Sequence, residues 1–145
     1  MNTSVMNNIL TTGKTRTTAI NAALFIEMSN LGRPSGRTHT LKEVQPHPTA
    51  EQLFAGAWSA CFMTSVKIVA EERKVILPAD MSVDVEVDLG QTGAEYFLQA
   101  RINLLVPGIP HEIALAIAHA ADEICPYSKA MRENIDVELG VGGQS

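Results

Sequence analysis

Cysteine is scarce in this chain: Cys61 and Cys125 are its two cysteines in 145 residues, and neither lies in a CxxC pattern. A chain of this length buries enough surface to fold without staples, and two cysteines in a cytosolic chain are not a structural framework. The four histidines, His39, His47, His111 and His119, are scattered, with no HxxxH spacing. No metal site is therefore expected. Positive charge forms no run and the net charge is −5, which argues against nucleic acid as a partner. No apolar stretch is expected to reach the roughly 18 residues of a membrane span, because Lys67 and the Glu71-Glu72-Arg73 cluster interrupt the longest one. The opening MNTSVMNNIL has neither a basic start nor a long hydrophobic core. It does not read as a secretory signal, and a cytoplasmic location is the expectation. With no internal repeat and no shift in composition, one domain is expected over residues 1–145.

What is present is a compact composition, 46% hydrophobic and 19% charged, that of an ordered domain. The threonine-rich segment 9–18 and the segment 23–29, ALFIEMS, read as an N-terminal strand hairpin. Residues 30–48 hold three prolines and two glycines and read as a long loop. Residues 49–69, TAEQLFAGAWSACFMTSVKIV, carry apolar residues at helical spacing. Thr49 with Gln52 makes a capping-box pattern that sets Glu51 in the first turn, where a carboxylate suits the helix dipole. Phe54, Trp58, Cys61 and Ser65 fall on one face, so Cys61 is predicted to be buried.

Residues 82–89, SVDVEVDL, alternate strictly. They predict a strand with Val83, Val85, Val87 and Leu89 inward and its acids in water. A turn over 90–93 leads to an antiparallel partner at 96–106. Residues 111–124 predict a second buried helix with His119 packed in it. Pro126 disfavours helix at the residue before it, which sets Cys125 at or just past that helix's end. Residues 134–139 close as a strand. The expected class is α+β, two apolar helices on antiparallel sheet.

Cys61 and Cys125 lie 64 positions apart, one in mid-helix and one before a proline. Two readings stand open. Both thiols are inert core residues, or they form a peroxidatic and resolving pair in which a thiolate becomes a sulfenic acid and then a disulfide. The second demands a nearby cation or hydrogen-bond donor, because burial alone raises a thiol pKa. A carboxylate such as Glu51 is suited to hold an arginine fork in place for that purpose.

EQLFAGAWSACF at 51–62 and CPYSKAMRENIDVEL at 125–139 resemble the two signature segments of the OsmC/Ohr family. In its organic hydroperoxide resistance (Ohr) branch they commonly read like NPEQLFAAGYSACF and CPYSxATRxNIDV. The run from Lys67 through VILPADMSVDVEV and the alanine-rich helix looks similar too, so the resemblance covers about residues 49–141. It implies strongly curved antiparallel sheets wrapping two central helices in an intertwined homodimer, with two sites between the subunits. It also implies a thiol peroxidase for organic and lipid-derived hydroperoxides. Such an enzyme has no bound cofactor and is reduced by an external dithiol, a lipoyl-bearing protein. On this resemblance Cys61 matches the peroxidatic cysteine, Cys125 the resolving one, and Glu51 the carboxylate that orients the family's arginine. Phe54, Trp58 and Phe62 are the expected lining for an alkyl hydroperoxide.

The N-terminal third departs from the family pattern. The GGRDG-like loop that carries the arginine is missing, and Thr49-Ala50 replaces Asn-Pro before the glutamate. LGRPSG at 31–36 resembles the family's LGGxGG loop. That registration puts the arginine in the window 13–16 and selects Arg16, with Lys14, Arg33 and Arg37 as alternatives; Lys14 lacks a planar fork. These departures motivate a second reading, a non-catalytic apolar-ligand-binding or redox-sensing module on the same fold.

Overall fold

A computed structural model of the chain describes residues 8–20, 23–30 and 50–142. The segment holding Arg33, Arg37, His39, His47 and the expected Thr49 cap lies outside the described residues. The element order is β1 (Asn8–Ile20), β2 (Ala23–Asn30), α1 (Ala50–Glu72), β3 (Ser82–Thr92), β4 (Glu95–Leu105), α2 (His111–Ile124), α3 (Pro126–Met131) and β5 (Asp136–Val141). The strands form one sheet in the order β2-β1-β3-β4-β5. The expected N-terminal hairpin is there, with β1 antiparallel to β2. Several expectations need correction. The sheet is mixed, because β5 returns parallel to β4 after the α2–α3 crossover, and a third helix follows the second. Gly90 also extends β3 rather than starting a turn: it pairs with Phe97, whose ring occupies the space a Cβ would need.

The core lies between the sheet and α1, with α2 packed behind. Val83, Val85 and Val87 of β3 and Ile102 and Leu104 of β4 meet Trp58, Phe62 and Val66 of α1 and Ala118 and Ala121 of α2. The period of two along β3 puts its valines on the helix side. The opposite face departs from expectation, because Asp84 and Asp88 are buried rather than in water. β3 is central in the sheet, and its neighbours supply partners that cover it. Asp88 accepts from Thr12 of β1 at 2.6 Å, from Gln99 of β4 at 2.7 Å, and from both terminal nitrogens of Arg101 at 2.8 Å. α2 is amphipathic rather than wholly buried, with Ala114, Ile117, Ala118 and Ala121 inward and His119 exposed, not packed.

Contrary to the sequence reading, α1 is long and apolar enough to span a membrane by length and composition. Its place explains that composition, since just over half of the apolar window is buried inside the fold. Gly13 lets β1 approach the first turn of α1. A Cβ there would sit 2.5 Å from the Gln52 nitrogen and 2.6 Å from the Glu51 carbonyl carbon. Two turns further on, the Ser59 hydroxyl meets the Thr15 and Thr17 hydroxyls of β1 at 3.4 and 2.5 Å. The helix ends with Lys74 in the left-handed region (φ 59°) and the Val75 N–H donating to the Ala70 carbonyl, a Schellman stop.

Candidate functional site

Cys61 sits in the middle of α1, half-buried rather than buried as expected, and Cys125 is fully buried at the junction of α2 and α3. Cys125 ends α2 in extended backbone (φ −67°, ψ 119°), as a residue before proline does. Pro126 then opens α3 at a position where its missing N–H costs nothing. This chain reversal aims the second thiol back at α1. Cys125 donates its S–H toward Cys61 Sγ across 3.3 Å. A disulfide needs about 2.05 Å, so closure requires the sulfurs to approach by roughly 1.3 Å.

Burial pushes the Cys61 thiol above its ordinary value, and the nearby Cys125 acts in the same direction. Against them works the backbone N–H of Tyr127, which hydrogen-bonds the Cys61 sulfur. That donor was invisible to side-chain reasoning. The one hint was its place two residues after a cysteine, at the start of a proline-initiated turn. Among the described residues no cation acts on Cys61.

Arg16 does not reach Cys61. Its guanidinium forms a fork on Asp84, Nε to Oδ1 at 2.7 Å and the terminal nitrogen to Oδ2 at 2.8 Å. That pairing raises its pKa. Strand alternation is the cause: Thr15 and Thr17 turn toward Ser59 of α1, so Arg16 turns to the other face. Lys14 shares that phase and pairs with Glu86 at 3.8 Å. Arg33 and Arg37 fall outside the described residues. Glu51 stands in the first turn of α1, half-buried. Ten residues of helix separate it from Cys61, about 15 Å along the axis, so within one chain the two do not meet.

Of the three expected pocket residues, Trp58 and Phe62 are fully buried in the core, while Phe54 is half-buried and tilted against Trp58 with ring centroids 5.5 Å apart. Trp58 instead borders a cavity of about 190 Å³ on its far side, with Ser128, Arg132 and Ile135. Its indole N–H donates to Ser128 Oγ at 3.0 Å, a bond between the two signature segments that the sequence reading missed. Among the described residues no three His, Cys, Asp or Glu side chains cluster as metal ligands.

The sequence profile of the OsmC-like protein family matches residues 42–140. An organic hydroperoxide resistance protein of Xanthomonas axonopodis pv. citri is 38% identical over 61% of this chain and 63% of its own length. The chain's match thus spans less than two thirds of that relative. The organic hydroperoxide resistance protein OhrB of Bacillus subtilis is 32% identical over 68% of this chain and 72% of its own length. Among solved structures, an organic hydroperoxide resistance protein of Legionella pneumophila superposes with a TM-score of 0.64 at 29% identity, covering 91% of this chain and 96% of that one. The family profile overlies both cysteines and both elements that carry them, and on that match the chain belongs to the OsmC-like family.

Proposed function

We propose that this chain is a cysteine-based peroxidase for organic hydroperoxides. One observation carries the reading: the two thiols stand 3.3 Å apart, the half-buried one open to a reactant and the buried one behind it. The names of the relatives support the substrate class. The Cys61 thiolate attacks the hydroperoxide, the O–O bond breaks, the alcohol leaves, and Cys61 becomes a sulfenic acid. Cys125 then displaces that oxygen as water and closes the disulfide. An external dithiol, a lipoyl group on a protein in the family's manner, reopens it by exchange. Phe54, with surface to offer, is positioned to meet the alkyl group from the same helix. Reduced protein treated with tert-butyl hydroperoxide loses both thiols and two hydrogen masses on this account; a Cys61→Ser variant that consumes hydroperoxide at the normal rate contradicts it.

The site is completed by a second copy of the chain. Leu53 (53% exposed) and Ile68 (45%) of α1 and Leu24, Phe25, Ile26 and Met28 of β2 leave an apolar surface uncovered. Glu51 reaches a Cys61 only if that cysteine belongs to another copy. A second reading draws on the lack of a cation at Cys61 among the described residues: a thiol pushed up by burial suits a binding or redox-sensing module better than a fast enzyme. Hydroperoxide binding without turnover, in excess dihydrolipoyl reductant, is the result that selects it.

A further inference from the structure

α3 has six residues, and Ser128 is the one it buries. The Ser128 hydroxyl accepts the Trp58 indole N–H at 3.0 Å, with Trp58 fully buried and Ser128 4% exposed. The two partners occupy matching places. Trp58 precedes Cys61 by three residues on α1, and Ser128 follows Cys125 by three, so the bond joins the helical turn below each thiol. Other contacts hold Cys125 to its own neighbourhood. Its N–H donates to the Ala121 carbonyl, its carbonyl accepts from the Lys129 N–H, and Arg132 ties α3 to the Asp122 carbonyl of α2. The Trp58–Ser128 bond crosses from α3 to α1 through side chains, beside the Tyr127 N–H that meets the Cys61 sulfur. Indole is a donor with no acceptor capacity, and Ser128 Oγ is the acceptor it meets, so removing either partner costs the other this bond.

We infer that Trp58 and Ser128 are positioning residues for the resolving step, holding Cys125 where it captures an oxidised Cys61. The inference rests on the peroxidase reading for its consequence. Cys61 sulfenic acid reacts with the Cys125 thiol to give disulfide and water. If Cys125 is displaced, a second hydroperoxide oxidises the sulfenic acid to sulfinic acid and leaves as alcohol, and the enzyme is lost. Losing one net hydrogen bond loosens the pair by about fivefold.

The test measures the positioning apart from peroxide chemistry. In a glutathione redox buffer, Cys125 displaces glutathione from the Cys61 mixed disulfide, and the ratio of intramolecular to mixed disulfide multiplied by the free glutathione concentration gives the effective concentration of Cys125. Trp58→Phe and Ser128→Ala are each expected to lower it about fivefold, and Ser128→Thr, which keeps the hydroxyl, to restore it. The Trp58→Phe/Ser128→Ala double variant leaves no buried polar atom orphaned and provides the same reading should a single variant fold poorly. Under excess tert-butyl hydroperoxide, folded Ser128→Ala protein is expected to consume the first equivalent at the wild-type rate while accumulating sulfinic acid at Cys61. An effective concentration unchanged in every folded variant overturns the inference. A wild-type protein that closes its disulfide with glutathione disulfide but ignores hydroperoxide overturns the peroxidase reading and leaves the positioning role standing.

Discussion

At the scale of single residues, the chemistry turns on two groups held in opposite directions. Burial drives Cys61 toward its neutral form, and with no cation acting on it among the described residues, its reactivity follows the thiolate fraction. Alkylation of Cys61 by iodoacetamide is expected to climb by about tenfold per pH unit from pH 7 to 9. A plateau already reached at pH 7 would place a cation at the sulfur, and Arg33→Ala or Arg37→Ala would then restore the slope. Asp88 is held the other way. Burial raises it, but the hydrogen bonds from Arg101, Thr12 and Gln99 and the Arg101 charge outweigh burial, lowering it from 3.8 to about 2. A carboxyl depressed by folding stabilises above its ordinary pKa and loses that contribution as pH falls through the folded value, here from about 4 to about 2, worth about 2 kcal/mol. Urea unfolding compared at pH 6 and pH 2.5 is expected to show a smaller drop for Asp88→Asn than for the wild type; equal drops would contradict the assignment. The alternation of SVDVEVDL exposed the two faces of β3, but not that Asp84 and Asp88 are buried. Their partners come from β1 and β4, far away in sequence.

At the scale of elements, the helix spacing, the strand alternation and Pro126 were legible because each is a local rule. α2 falls on His111–Ile124 as expected, and Cys125 just beyond it. α3 was not legible, since six residues after a proline carry too little periodicity to separate a helix from a turn. The pairing of Arg16 with Asp84, away from α1, is a matter of phase. Resemblance put a cation within a four-residue window, and in a strand one residue reverses the face. Gly13 is the element-level contact most open to test. Gly13→Ala sets a methyl against the backbone of Glu51 and Gln52, where no side chain can move aside, and is expected to cost about 1–3 kcal/mol. Chemical denaturation measures it, and a loss below about 0.5 kcal/mol would show that β1 does not press on the first turn of α1.

At the scale of the whole molecule, the fold presents α1 as both core and surface. One side carries Trp58, Phe62 and Val66 into the core, while Leu53 and Ile68 stay exposed. That division explains why α1 is apolar nearly all round, a pattern that a single chain leaves half used. Sedimentation of the full chain is expected to give a dimer. Leu53→Glu with Ile68→Glu is expected to give monomers with hydroperoxide turnover at least about tenfold lower, because unpaired charge is costly in an apolar contact; a double variant that stays dimeric and active removes α1 from the interface. The central claim is that Cys61 and Cys125 form a peroxide-driven couple. It is tested most directly by single-turnover mass analysis of the reduced protein with one equivalent of tert-butyl hydroperoxide. The account predicts loss of both thiols, a mass lower by two hydrogens, a Cys61–Cys125 linkage in the peptide map, and release of one equivalent of tert-butanol. Two free thiols and intact hydroperoxide at the end of the reaction would contradict it.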